Sequence, residues 1–416
     1  MSTEASSSAI YGTLAAEVLV AKLGRALHRY GTPAHRLEEA MNEVSHRLGL
    51  QGDFFSTPTA IFASLRPEEH EEDERPGTLL MRVEPGELSL EKLSLLDALL
   101  GQVVRREVTA RQASARIDEV ENQPPRFGRT VTTAAFALAS GSTARFFGGG
   151  LQECAVATVL GLGIGLLALA VEKLENAGRL YESVAALLAA FAATAAAIFW
   201  PPLAFWIVTV SALIVLVPGL TLTVAMTELA TRNLVSGAAR LSGAVLMFMT
   251  IGVGFALGNR LGILAFGEMP VASPVELPPW TELPALAVVA FALLILFRAH
   301  PRDYGWFLAA AALALYGSRA GTEVFGPQLG ALVGAVLVGV ASNLFARVVR
   351  RPAAIVQMPG IMLLVPGSVG FRSVAELVRQ DTLSGVQTAF SMVLVAISLV
   401  TGLLLANVLL PPRNAL

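Results

Sequence analysis

Leu216-Val217-Pro218-Gly219 opens a stretch that continues through Glu228-Leu229 to Asn233-Leu234-Val235-Ser236-Gly237. Leu364-Val365-Pro366-Gly367 opens a second one, which continues through Glu376-Leu377 to Ser384-Gly385. Matched positions lie 148 residues apart, and Gly254 with Gly402 and Asn259 with Asn407 keep the same offset. Each copy is an apolar run broken by Pro-Gly, then an amphipathic segment with one carboxylate, then another apolar run. Proline has no N–H to give, so Pro218 leaves the carbonyl of Ile214 without its helical donor and Pro366 does the same to Met362. In hydrocarbon such groups persist only where protein or a wet cavity satisfies them. A helix that restarts after the break offers its positive end, which suits a carboxylate.

Composition sets the surroundings of this repeat. The chain has 416 residues, 54% hydrophobic and 15% charged, with mean hydropathy +0.62. That apolar share exceeds a soluble domain's. The charge is uneven: 35 of the 62 charged residues and four of the five His precede Thr130. A polar region therefore leads into a membrane region. Net charge is −2, which excludes nucleic acid as the expected partner. The single Cys154 excludes an intramolecular disulfide and a Cys-cluster metal site. The first ten residues lack a basic-then-apolar secretory pattern, so the polar region is expected to stay in the cytoplasm.

In that region Thr13–Tyr30 reads as a helix ended by Gly31, and Thr32-Pro33 restarts one with Thr32 as N-cap and Pro33 at the first helical position. Leu37, Met41, Val44 and Leu48 form its apolar stripe, and Gly49 stops it. Phe54–Leu65 and Thr78–Val83 read as strands. The acidic run from Glu68 to Gly77 between them reads as a solvated hairpin tip, with metal binding as the alternative. One long helix is expected from Ser89 to about Glu121, ended by Gln123-Pro124-Pro125. No nucleophile–base arrangement stands out, so no catalytic residue, metal site or cofactor is expected and the protein is read as not an enzyme.

A span needs roughly 20 apolar residues. Ten segments qualify, at about 130–147, 151–171, 181–200, 203–225, 237–258, 283–298, 304–320, 327–347, 354–376 and 384–410. Most Arg and Lys flank them on one side, which places both termini in the cytoplasm. The Pro-Gly breaks fall in spans four and nine, and an odd separation turns the copies over. The expected fold is a polytopic α-helical membrane protein with about ten transmembrane helices. These form two inverted five-helix repeats, preceded by a small cytoplasmic α/β domain. The boundaries are 1–129 for that domain, 130–260 for the first repeat, 261–282 for an external loop and 283–416 for the second repeat. Inverted repeats with broken helices are a transporter design, with the site near the midplane.

The substrate site is accordingly read from small and polar residues at the breaks: Ser140, Gly141, Pro218, Gly219, Thr221, Asn233, Ser236, Pro366, Gly367 and Ser368. For Ser140 and Gly141, small-residue helix packing is an equal alternative. No His falls in an expected span, so carboxylates are left to carry a proton: Glu228, Glu376 and, in reserve, Glu153. Capping of interfacial turns is the alternative for Glu228 and Glu376. Arg145 and Arg372 lie at depth as well.

These residues resemble the threonine/serine exporter family. Gly31, Arg36, Glu38, Gly49 and Thr57-Pro58-Thr59 match its cytoplasmic segment, with Leu37 where Val is usual. Pro218-Gly219, Glu228-Leu229, Asn233 to Gly237 and Leu364 to Gly367 match its membrane part. The resemblance covers about residues 12–410. It implies ten spans and secondary active export of small hydroxy amino acids, threonine and serine, driven by the proton motive force. The implied partners are a small amino-acid substrate, protons and membrane lipid, with homo-oligomerisation open. The implied location is the bacterial cytoplasmic (inner) membrane. The alternatives are a dicarboxylate exporter of the same architecture, which Arg145 and Arg372 keep alive, and a membrane-tethered enzyme with its chemistry in residues 1–129.

Overall fold

The computed structural model describes residues 2–68, 77–172, 177–270, 272–378 and 380–412. Residues 69–76, which hold most of the acidic run, lie outside the described residues. The leading region contains helices α1 (Ser2–Arg29) and α2 (Ala34–Arg47), strands β1 (Leu50–Thr57), β2 (Ala60–Pro67) and β3 (Gly77–Arg82), then α3 (Leu90–Val104) and α4 (Ala110–Asn122). The strands form one antiparallel sheet in the order β1-β2-β3. Gly31 and Gly49 end α1 and α2 with φ of +90° and +74°, a backbone region open to glycine at little cost.

Three local expectations change. Phe54–Leu65 is a hairpin and not one strand, because Pro58 cannot donate to a ladder and Thr57 closes the turn on Ala60 in both directions, at 3.0 and 3.1 Å. The single helix expected over Ser89–Glu121 is split into α3 and α4. Arg106 there has φ +58°, and Thr109 starts α4 with a reciprocal capping box to Gln112. The cap of α2 is Pro33, not Thr32, and no side chain of its own takes the first amide. That amide, Ala34 N–H, instead donates to Glu228 at 3.0 Å.

The membrane part runs α5 (Arg129–Phe146), α6 (Leu151–Val171), α7 (Tyr181–Phe199), α8 (Phe205–Leu213), α9 (Gly219–Ala230) and α10 (Leu234–Phe266). It continues α11 (Glu282–Leu296), α12 (Tyr304–Phe325), α13 (Gly330–Val349), α14 (Ala354–Leu364), α15 (Gly367–Val378) and α16 (Thr382–Leu409). Among the described residues seven helical segments are long and apolar enough to cross a membrane by length and composition. Three of the ten expected spans fall short of that standard: α5, α12 and the broken α8–α9. The break leaves neither α8 nor α9 long enough alone. The fifth expected span runs on past Asn259 to Phe266, where Gly267 at φ +97° ends it.

Corresponding pairs pack in both parts: α5 on α6 and α11 on α12, α7 on α10 and α13 on α16, α9 on α10 and α15 on α16. Glycines set the approach. A Cβ on Gly254 would lie 2.2 Å from the Ser183 carbonyl oxygen, and one on Gly402 would lie 2.5 Å from that of Leu332. The leading region is not tethered loosely. One hydrophobic core joins Leu37, Met41 and Leu96 to Leu293, Phe307 and Ile355 of the membrane part. Backbone bonds reinforce it, from Leu90 N–H to Phe297 O at 3.0 Å and from Glu91 N–H to Arg298 O at 3.2 Å. A second core around α7, α8 and α10 reaches Phe371 and Val374 on α15, and Trp206 stacks on Phe371 at 5.4 Å.

Candidate functional site at the paired helix breaks

Helix α8 closes with a tight turn, in which Leu216 N–H donates to Leu213 O at 2.9 Å. That turn frees the carbonyl of Ala212, and Ser140 on α5 donates its hydroxyl to it at 3.3 Å. A buried carbonyl without a donor is costly, so Ser140 is fully buried here for a physical reason. After the breaks, α9 and α15 restart, with Leu222 N–H on Pro218 O and Gly370 N–H on Pro366 O, each at 3.0 Å.

The two breaks meet. A Cβ on Gly219 would lie 2.1 Å from Val365 Cγ1 and 3.5 Å from the Gly367 Cα. A Cβ on Gly367 would lie 2.6 Å from Val217 Cγ1 and 3.5 Å from the Gly219 Cα. The contact is reciprocal, and only glycine lets the two backbones approach this closely. A wet cavity between the breaks, satisfying the carbonyls they free, would hold them apart. They touch instead, and the cavity lies beside them with a mostly apolar lining.

That cavity holds about 450 Å³. Ile214, Val215 and Leu220 line it from the first break, and Met362, Val365 and Ser368 from the second. Helices α5 and α11 complete it, with Thr132, Thr143, Val289 and Leu293 on its wall. Arg298 and Glu87 stand at the end near the leading region and pair with each other. The volume lies in the range of small-molecule sites, about 300–1,000 Å³.

The expected site residues divide into groups. Gly219 and Gly367 form the contact, Pro218 and Pro366 precede them in the chain, Ser368 lines the cavity, and Ser140 supports α8 behind it. Gly141 points to α6, where an added Cβ would lie 2.0 Å from Thr158 Oγ1. Thr221 is exposed on α9. Asn233 and Ser236 lie at the far end of α9, where Asn233 bonds to Thr231 and Ser236 donates to Glu228 at 2.8 Å.

The carboxylates sit apart from the breaks. Glu228 is fully buried and accepts from Ala34 N–H, Ser236 and Arg240, the last at 3.1–3.2 Å. It ties the leading region to α9 and α10. Its repeat partner Glu376 accepts from Arg372 at 2.8 Å and from Thr388 at 2.7 Å, and is 19% exposed. Thr388 stands 148 residues after Arg240, so each carboxylate takes a donor from the same helical position. Glu153 is buried and accepts from Gly150 N–H and Ala204 N–H, both at 2.9 Å. It thereby caps α6 and holds the start of α8. Arg145 is committed to Thr281 at 2.7 Å and to Glu282, which also pairs with Arg319 at 2.7 Å.

Sequence reading missed the interdomain role of Glu228 and the buried pair of Asp303 with Arg351 at 2.5 Å. No local pattern announces either, since both partners are distant in the chain. Val217 and Val365 were within reach, because they precede the two prolines at the same offset.

Known proteins give this arrangement relatives. Pheromone-regulated membrane protein 10 of Saccharomyces cerevisiae is 25% identical over 385 residues, covering 90% of this chain and 48% of its own length. The protein of the same name from Candida albicans is 26% identical over 378 residues, covering 88% of this chain and 33% of its own. The chain therefore spans half or less of these curated relatives. No solved structure matches it. A family model described as "Threonine/Serine exporter, ThrE" matches residues 283–409, and a companion threonine/serine exporter model matches residues 18–262. Helices fit to cross a membrane, a repeated broken-helix motif and a family match over more than half of its length agree: this chain belongs to the threonine/serine exporter family.

Proposed function

We propose that the protein is a secondary active exporter of small hydroxy amino acids, threonine and serine, driven by the proton motive force. It works through two inverted five-helix repeats, residues 130–260 and 283–416. The reciprocal contact of the two breaks beside a cavity carries this reading. A two-fold axis between Gly219 and Gly367 exchanges Val217 with Val365 and accounts for both contacts at once. Helix directions support the inversion. The start of α8 is held by Glu153 near the α5–α6 turn, whereas α14 starts beside α2 of the leading region. The substrate rests among Ser368, Thr143 and the broken-helix ends, and rocking of the repeats about the glycine contact alternates access. Glu228 and Glu376 carry the proton, with Glu153 in reserve.

The dicarboxylate alternative needs cations facing the cavity. Arg145 and Arg372 are committed to Glu282 and Glu376, and Arg298 is paired with Glu87. Family membership favours a transporter over a membrane-tethered enzyme. Purified protein in vesicles preloaded with labelled threonine tests the proposal. Efflux should rise with an imposed proton gradient, and succinate should not leave. Glu228→Gln and Glu376→Gln should abolish the gradient's effect while exchange stays measurable. Wild-type rate and pH dependence in both single variants and the double variant would remove the proton role. No threonine or serine efflux from wild-type vesicles would remove the substrate.

A further inference from the structure

The leading region and the membrane part enclose a second cavity of about 280 Å³. His35, Arg36 and Glu39 of α2 line one side. Thr223 and Thr227 of α9 and Thr231, which caps its C-terminus, line another at helical spacing. Gln357 of α14 and Asn407 of α16 add polar groups. Leu220, the residue after Gly219, lines this cavity and the larger one at the breaks. One side chain thus stands between the two spaces.

The lining specifies a kind of ligand. Arg36 and Glu39 bring opposite charges, and they bond to each other at 3.3 Å at a rim where Glu39 is 66% exposed. They can part to take a carboxylate and an ammonium group. The threonine hydroxyls donate backwards along α9, Thr223 to Gly219 O at 3.2 Å, Thr227 to Thr223 O at 2.9 Å and Thr231 to Thr227 O at 3.0 Å. Among the described residues, Thr223 and Thr227 Oγ1 accept no bond and stay open to a ligand's hydroxyl or ammonium, whereas Thr231 Oγ1 already accepts from Asn233 at 3.2 Å. His35 Nδ1 is buried and has no hydrogen-bond partner among the described residues. Burial, helped by the neighbouring Arg36, pushes the His35 pKa down to about 4, so the ring is neutral near pH 7. An unpaired buried polar atom calls for a partner, and the cavity is where one can sit. The volume falls just below the usual range of drug-sized sites, about 300–1,000 Å³, which excludes a nucleotide and suits one amino acid.

We infer that this interdomain cavity is a docking site for a small zwitterionic hydroxy amino acid, separated from the cavity at the breaks by Leu220. As an antechamber for the cargo it rests on the export reading; as a binding site it does not. It gives the leading region a role in choosing what reaches the breaks.

Equilibrium binding of labelled L-threonine to the full chain in lipid nanodiscs tests the site. Thr227→Phe fills the cavity, His35→Ala removes the unpaired nitrogen, and the near-isosteric Thr227→Val guards against a folding defect. Each should weaken threonine binding, at least tenfold for Thr227→Phe and at least threefold for the other two. Unlabelled serine should compete and succinate should not. Wild-type protein that binds no threonine, or binding within twofold of wild type in all three variants, overturns the inference. Vesicle efflux separates the two readings. Threonine binding that depends on Thr227, with no efflux, leaves the docking site standing and removes the export reading. Efflux with an unchanged KM for internal threonine in all three variants removes the docking site and leaves export standing.

Discussion

Replacing Gly219 by alanine puts a Cβ 2.1 Å from Val365 Cγ1. Optimal carbon–carbon separation is about 3.5–4.0 Å, so one side must retreat by about 1.5 Å. Valine is stiff about χ1 and cannot swing aside cheaply. Overpacking of this kind costs about 1–3 kcal/mol. Val365→Ala removes the obstructing methyl groups, and alone it costs about 1 kcal/mol for the void. Together the two substitutions exchange volume across the contact. The double variant should recover about 1–2 kcal/mol relative to the sum of the single ones, a coupling expected only of residues that touch. Gly367→Ala with Val217→Ala should behave alike, with the smaller penalty that its 2.6 Å approach implies. Thermal unfolding in detergent, followed by the loss of the monodisperse peak in size-exclusion chromatography, reads these differences. Gly219→Ala should lower the midpoint by about 2–6 °C, from the roughly 2 °C per kcal/mol of larger domains. Threonine efflux should fall with it if the repeats rock about this point. Additive effects, or a neutral Gly219→Ala, would refute the close contact and the axis drawn through it.

His35 should make stability depend on acid. Its pKa lies at about 4 when folded against 6.5 when exposed, so the unfolded chain takes the proton first and stability falls as pH drops from about 7 to 4. The full span is worth about 3 kcal/mol, and His35→Ala should flatten the slope in pH-dependent unfolding. Arg351→Met leaves the Asp303 carboxylate, 3% exposed, without its partner. It should cost about 3–5 kcal/mol, and Asp303→Asn in the same chain should restore part of it; equal damage in both variants would count against a stranded charge. Glu228→Ala removes the acceptor of the Ala34 amide and of Arg240, so limited proteolysis should release the leading region faster than in Thr221→Ala, an exposed control on the same helix.

Much of the membrane part was legible because hydrocarbon leaves the backbone few options. Long apolar runs must be helices, and they break at Pro218-Gly219 and Pro366-Gly367, whereas Pro359-Gly360 stays inside α14. The offset linking Pro218 to Pro366 and Glu228 to Glu376 was readable by inspection, as were the stops at Gly31 and Gly49. Local chemistry that competes with such patterns was harder to read. The turn at Pro58 and the split at Arg106 interrupt runs whose hydrophobic spacing continues across them. Only the tertiary structure decided what the matched residues touch. It brings Gly219 against Gly367, turns Gly141 towards α6, exposes Thr221 and spends Glu228 on an amide 194 residues away. Hydropathy and helical spacing constrain a residue's face and depth, because solvent and backbone act on each residue locally. Which residue of another helix meets it depends on how all the helices pack at once, and no local stretch of the chain carries that information.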